Sequence, residues 1–411
     1  MKSLVRLLTV LLILIGGLSW ADQTTLPTFP HNLDDEFARI LDEAGVPGGA
    51  FVVVHGNRIV HASSHGVRTG GEPDPVTVDT VFRLASVSKT FAGQLTALLV
   101  ADGVLSWDEA VVDHIPELRF ASPEHARQLR IRHLLGQSTG IVPNAYDNLL
   151  NANQGLDQIL PRFAEVEPMC SPGSCYTYQN VLFALVEPAM ERTTGRSYDQ
   201  LLIDRVIEPL DMRNASVGIN GYRSASDRAS PHSRRFRGGP WQPTEVNENY
   251  YRVASAAGVN ASAIDLGQWL IAQLGHRPEV IPPALIEELT TPQVRTARDL
   301  RRREWRDLLT DAHYGLGWRI YRAGEDEIYL HSGWVRGFVA EVAFSRDRQV
   351  GLGVVLNAES SALNEFTTGF WRQVLADRPA IQIAEQAATE GEAAGAGASG
   401  GTASGASTAP E

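Results

Sequence analysis

The chain has 411 residues, 43% hydrophobic and 20% charged, a balance that excludes wholesale disorder. At roughly 150 residues per domain it holds a few domains or one large composite one. A formal net charge of −12 leaves no electrostatic footprint for nucleic acid, and two cysteines are too few for a disulfide scaffold or a cysteine-rich zinc site.

Residues 1–21 read as an export signal. Lys2 and Arg6 open it, Leu7 to Leu18 is apolar, and Ser19 and Ala21 stand at positions −3 and −1 of a cleavage site. The apolar run is short for a membrane span, so the alternative is an uncleaved N-terminal anchor. The reading places the protein in the periplasm or outside the cell, with no stable membrane insertion after cleavage. Residues 22–32 read as a linker.

Leu33, Phe37, Ile40 and Leu41 have helical spacing over 33–43. Ala50 to Val54 and Arg58 to Ser63 read as strands joined by a His55-Gly56-Asn57 turn. Val81 to Val100 has helical spacing, the helix itself beginning near residue 84 and stopping at Asp102-Gly103. The region 106–251 alternates helix-like stretches (108–115, 179–192, 198–207) with long polar loops, which in a compact domain are usually functional. Strands return over 314–321, 327–331, 338–344 and 350–356, the last two joined by a turn at Arg346 to Gln349, and 366–375 reads as a closing helix. This order predicts an α/β (α+β) fold. One antiparallel sheet is built from both chain ends with flanking helices, and a mostly helical region is inserted. The expected domain is 33–376, with a sheet lobe (33–105 and 252–376) and a helical lobe (106–251). Residues 377–411 form a Gly/Ala/Ser/Glu tail that reads as disordered.

Three places carry chemistry. Ser86-Val87-Ser88-Lys89 opens the helix near residue 84. Residues three apart share a helix face, so Ser86 and Lys89 can meet, whereas Ser88 points about 100° away from Lys89. A serine becomes a useful nucleophile when a neighbour takes its proton, and a buried lysine can do so where arginine cannot. Lys2 and Lys89 are the only lysines; all other basic residues among the 36 are arginine. Once the signal is removed, Lys89 is the sole lysine. The bland alternative is a surface lysine on a core helix. Tyr178-Gln179-Asn180 follows a Pro-Gly loop, and a phenol two residues from an amide projects into the same cleft if the approach is extended. Tyr176 is its rival. His331-Ser332-Gly333 ends an apolar strand, where Gly333 would let a substrate backbone approach closely and His331 offers a hydrogen bond or a pH-dependent charge.

These motifs, in this order, resemble the penicillin-recognising serine hydrolases, specifically the class C β-lactamase-like group marked by S-x-x-K, Y-x-N and K-T-G or H-x-G. The flanks are similar too: Phe82 to Ala85, Ile131 to Leu135 through Ser138-Thr139-Gly140, Pro172-Gly173, Thr194 to Tyr198, and Pro209 to Met212. The resemblance covers about 33–376. It implies Ser86 as the acylated nucleophile, Lys89 as general base and Tyr178 as proton relay. It further implies Asn180 holding the acyl side chain, His331 standing where many relatives have lysine, and an oxyanion hole of the Ser86 and Trp334 backbone N–H groups. Ser332 and Gly333 complete the substrate-binding edge. The chain departs from the β-lactamase pattern at His331 and Ser332, where those enzymes keep Lys and Thr near the antibiotic's carboxylate. The resemblance therefore points to the esterase and D-amino-acid peptidase or amidase branches. The alternatives are a true class C-type β-lactamase and a non-turnover acyl-binding sensor. Trp334, with Phe338, implies a narrow apolar wall. Arg336 is a candidate substitute for the missing cation, a solvated rim arginine being the alternative.

Gly136 to Gly140 is a formal G-x-S-x-G. A nucleophile elbow needs a helix after it, and Pro143 follows instead. Export favours a disulfide between Cys170 and Cys175, which would close a tight loop before Tyr178; two unpaired thiols are the alternative. The eleven histidines show no tight ligand spacing, so no metal and no cofactor are implied. Arg298 to Arg306, with Glu304 and Asp307, reads as a solvated, internally paired face. The partner expected is a small ester, amide or peptide substrate.

Overall fold

The computed structural model describes residues 32–376, so the export signal, most of the linker and the tail lie outside the described residues. Helix α1 (Leu33–Ala44) buries the four residues whose spacing predicts it. Strands β1 (Gly48–His55) and β2 (Arg58–Gly66) follow as a hairpin. Their sheet is completed from the other end of the chain by β3 (Val294–Arg295), β4 (Asp311–Tyr314), β5 (Arg319–Ala323), β6 (Asp326–Val335), β7 (Phe338–Ser345) and β8 (Val350–Leu356). The eight strands run antiparallel in the order β2-β1-β8-β7-β6-β5-β4-β3. The two chain ends meet where Gly49 lies opposite Leu356.

Alternation along each strand gives the sheet two apolar faces. One packs on α1 and on the C-terminal helix α6 (Ala362–Ala376), where the rings of Phe37, Phe51 and Phe366 lie 4.9–5.0 Å apart. The other packs on α2 (Ser88–Ala101) and α5 (Ala263–Gln273), with Phe91 stacked on Trp269 at 4.1 Å. The helical region sits beyond α2 and includes α3 (Val186–Thr194) and the short α4 (Ala254–Ala257).

Two segments differ from the sequence reading. Residues 314–321 are not one strand but the end of β4, a turn and the start of β5. Gly317, at φ +91°, supplies the backbone that L residues avoid, while Leu316 and Trp318 keep the apolar alternation of a continuous strand. The helix expected from about 84 starts later. Phe82–Arg83 pair with Val259–Ala261 in a small second sheet, Ala85–Val87 form a 3-10 turn, and α2 begins at Ser88. Among the described residues no helix is long and apolar enough to cross a membrane.

Candidate active site

Ser86 lies in the 3-10 turn that leads into α2, held from both sides. Ser88, two residues on, accepts a hydrogen bond from Val259 N at 2.9 Å and so ties α2 to the small sheet. Ala85 sits at φ +49°, a left-handed conformation that a small side chain tolerates at some cost. On the opposite side β6 passes so close that a Cβ on Gly333 would lie 2.0 Å from Leu84 O and 2.9 Å from Ser86 N. The close approach at Gly333 is therefore made by the Ser86 turn itself, where the sequence reading expects a substrate backbone.

Lys89 is fully buried. Its Nζ lies 2.7 Å from Asn180 Oδ1, 3.0 Å from the Ala256 carbonyl of α4 and 3.3 Å from Ser86 Oγ. Burial pulls its pKa down from 10.5 to about 7; Asp147 pushes it up and Arg319 pushes it further down. In the neutral form of Lys89 the three contacts divide as follows. Two of the oxygens are carbonyls, which only accept. A neutral amine has two N–H groups for them and one lone pair, which is left for the Ser86 hydroxyl.

Tyr178 comes from the segment before α3. Its hydroxyl donates to Ser86 Oγ at 2.8 Å, so this residue, not Tyr176, reaches the serine. Burial raises the Tyr178 phenol above its ordinary pKa, which keeps it a neutral donor. Tyr176 instead packs on Tyr314 at 5.6 Å. Cys170 and Cys175 form a disulfide in the loop just before. Asn180 uses both ends of its amide internally. Oδ1 faces Lys89, and Nδ2 donates to Asp147 Oδ2 at 2.7 Å. One N–H of Asn180 remains for a substrate.

The β6 residues divide by strand alternation. His331 and Gly333 face the helical side, as do the core residues Tyr329 and Val335. His331 is buried, accepts from Tyr314 O–H at Nε2 (3.0 Å) and lies 2.9 Å from Ser332 O at Nδ1. Burial, then Arg319 and Lys89, hold its pKa well below 6.5, so it is a neutral imidazole and not a pH-dependent charge. Ser332 and Trp334 face the other side of the sheet. Ser332 Oγ donates to Glu341 at 2.6 Å, and Trp334 is 48% exposed with Nε1 donating to Glu359. Ser332 thus offers no hydroxyl on the Ser86 side, and Trp334 with the buried Phe338 forms no wall there, corrections that follow from the period of two. Arg336 stays exposed in the turn after β6.

Ser138 is buried in a bridge to Thr177 with no helix after it, so the elbow pattern is accidental here. The basic cluster is only partly a solvated face. Arg303 and Arg306 pair with Glu304 and Asp307, whereas Arg302 turns inward to the Tyr321 hydroxyl at 2.9 Å.

The sequence reading missed three residues. Asp147 orients Asn180, and no spacing announces it. Glu187 on α3 is half-buried, and Oε1 accepts from Ser255 N (2.7 Å) and Ser255 Oγ (2.6 Å), the residue before the carbonyl that takes Lys89. Arg319 on β5 lies 5.9 Å from the Tyr178 ring, and an arginine between Trp318 and Ile320 in a buried strand was its only signal.

Comparison with known proteins bears on the family and the fold. The beta-lactamase family profile matches residues 33–376. Penicillin-binding protein 4 of Amycolatopsis lactamdurans is 29% identical over 371 residues, covering 87% of this chain and 92% of its own. Among solved structures, a class C beta-lactamase from Rhodobacter sphaeroides superposes with a TM-score of 0.70 at 21% identity, over 84% of this chain and 100% of that one. A D-stereospecific amidohydrolase from Streptomyces sp. superposes with a TM-score of 0.64 at 24% identity, over 79% and 94%. The chain belongs to the beta-lactamase family of hydrolases.

Proposed function

We propose that the protein is an exported serine hydrolase that cleaves an ester or amide through an acyl-enzyme on Ser86. The observation that carries the reading is the buried Lys89, whose Nζ lies within hydrogen-bond reach of two carbonyls and of Ser86 Oγ and whose pKa burial brings down to about 7. In the first half-reaction Ser86 Oγ attacks the acyl carbon and its proton passes to Lys89. The bond to the leaving oxygen or nitrogen breaks, and that atom takes up the proton through Tyr178. In the second, water attacks the acyl carbon, gives its proton to the same pair, and Ser86 leaves reprotonated. The backbone N–H groups of Ser86 and Trp334 would hold the oxyanion, and the tight passage of β6 past Ser86 supports that pairing. Removing one such donor typically costs on the order of 10² to 10³ in rate.

The neutral His331 and the averted Ser332 favour an esterase, peptidase or amidase over a true β-lactamase, because the third motif supplies neither cation nor hydroxyl for an antibiotic's carboxylate. The test is a panel of acyl esters, D-amino-acid amides, muropeptides and nitrocefin, with Ser86→Ala as control. Steady ester or amide turnover lost in Ser86→Ala is expected. A fluorophosphonate label on another residue refutes the mechanism. Nitrocefin turnover matching the best ester refutes the preference, and a single burst with a stable adduct indicates a sensor.

A further inference from the structure

The Ala256 carbonyl that faces Lys89 is itself held from a distance. Ala256 belongs to α4, a helix of four residues, so its carbonyl lies in the last turn and has no partner inside the helix. It is free to lie 3.0 Å from Lys89 Nζ. A helix this short has little stability of its own, and Val253 before it supplies no side-chain cap. The cap comes from α3. Glu187 Oε1 accepts from Ser255 N at 2.7 Å and from Ser255 Oγ at 2.6 Å, and Ser255 is fully buried. One carboxyl oxygen thus fixes both the backbone and the side chain of the residue before Ala256.

Among the described residues Glu187 makes no ion pair and bonds only to Ser255. The charged groups around it are Glu191 on its own helix and Asp199 on the next (Tyr198–Leu202), both of its own sign. Beside them Tyr198 is buried with its hydroxyl unpartnered. An acid among acids is unfavourable, and no cation here calls for one. What the carboxyl does reach runs in one direction, through Ser255 and Ala256 to Lys89 and Ser86.

We propose that Glu187 is a positioning residue for the catalytic base: by fixing Ser255 it holds the Ala256 carbonyl against Lys89 Nζ and so keeps the amine on Ser86 Oγ. The proposal rests on Lys89 as the base of the Ser86 reading. Either protonation form of the carboxyl keeps an oxygen that accepts from Ser255. Without that oxygen α4 loses its cap, and Nζ loses an acceptor that favours its charged form. Lys89 then titrates lower and no longer meets the serine squarely. Asp147, Arg319, Tyr178 and His331, the other titratable and charged groups around Lys89, are untouched by the change.

The chain has only two lysines, Lys2 and Lys89, so carbon-13 at lysine Cε gives a Lys89 resonance whose titration is read by NMR without any substrate. The wild type is compared with Glu187→Gln, which keeps the acceptor oxygen, Glu187→Met, which removes it, and Ser255→Ala, which removes one of the two bonds. The Lys89 midpoint should fall by about one pH unit in Glu187→Met. In Glu187→Gln it should stay near the wild type, because glutamine matches the protonated acid present near pH 7. On a neutral ester kcat should drop by about tenfold or more in Glu187→Met with KM unchanged, as should fluorophosphonate labelling of Ser86, and glutamine should restore both. Glutamine shifting the midpoint as far as methionine would show that charge and not the held carbonyl is responsible, and overturns the proposal. Ser86-dependent turnover with one midpoint and one kcat across all four proteins overturns it too and leaves the hydrolase reading standing. If no ester is turned over but the midpoint falls in Glu187→Met and is restored in Glu187→Gln, the positioning stands and the hydrolase reading falls. Should Glu187→Met fail to fold, Ser255→Ala carries the test: smaller changes in the same directions are expected, and an unmoved midpoint overturns the proposal.

Discussion

Asp147→Asn tests the proposed base most sharply, because it removes a charge while keeping a hydrogen bond. Asparagine's amide oxygen can still accept from Asn180 Nδ2, so Asn180 keeps its carbonyl turned to Lys89. What changes is the field at the amine. Two hydrogen bonds of 2.7 Å in series across an amide put the carboxylate about 6–7 Å from Nζ. At an effective dielectric near 20 that is about 2.5 kcal/mol, or close to two pKa units; partial exposure of Asp147 lowers the expectation to about one to two. The sign is set by charge: the carboxylate favours the ammonium, so its loss favours the free amine. Lys89, already lowered to about 7, goes lower still.

The assay is the pH profile of kcat/KM on a neutral ester, whose acid limb reports the free enzyme. In the wild type the limb should lie near the Lys89 value. In Asp147→Asn it should move to lower pH by about one to two units, so that the variant outperforms the wild type in relative terms at pH 6. The limb belongs to the coupled Lys89–Ser86–Tyr178 group, so the shift and not the absolute midpoint is the quantity read. An unmoved limb, or one displaced upward, refutes the view that a neutral Lys89 takes the serine proton.

Lys89→Met should abolish turnover yet gain stability over the wild type at low pH. The folded pKa lies below the unfolded 10.5, so the unfolded chain holds the extra proton between about pH 7 and 10.5 and wild-type stability rises across that window by up to about 5 kcal/mol; melting curves of the pair should converge as pH rises, and a pH-independent difference contradicts the burial argument. Glu187→Gln works in the opposite sense. Burial raises that carboxyl from 4.5 to about 8, so its contribution is full below 4.5 and lost as pH climbs through 8; the variant should melt at higher temperature than the wild type by a margin that grows over that range, and a constant margin rules the titration out. Gly333→Ala drives a Cβ into Leu84 O and Ser86 N and should cost a few kcal/mol of stability, with fluorophosphonate labelling of Ser86 slowed by at least tenfold; labelling at the wild-type rate shows that β6 does not brace the turn.

Much of this fold is legible because its elements obey a period. The α1 stripe at 33, 37, 40 and 41 and the valine-rich run of β1 declare themselves by burial pattern alone. The errors arise where two periods coincide or a period is extended past its cause. Residues 314–321 alternate like a strand because Leu316 and Trp318 are buried on either side of a glycine turn, so pattern and path diverge. At β6 the motif was read as a string, but a string has no faces: alternation sends His331 and Gly333 toward Ser86 and Ser332 and Trp334 away.

The nucleophile and its base were legible for a different reason. Their geometry is local, two residues three apart where a 3-10 turn leads into α2, and the chemistry tolerates no arginine in place of Lys89. Everything that tunes that lysine comes from afar: Asn180 and Asp147 from the helical region, Ala256 steadied by Glu187, Arg319 from the sheet. A single sequence carries no mark of such contacts, because each partner is an ordinary residue in an ordinary local setting. The same separation explains the displaced cation. A positive field at Tyr178 requires a guanidinium or ammonium within several ångströms, not a particular strand. Once β5 places Arg319 at 5.9 Å from that ring, a lysine at the buried position 331 would add a second charge beside the first, and a neutral histidine is the residue that fits.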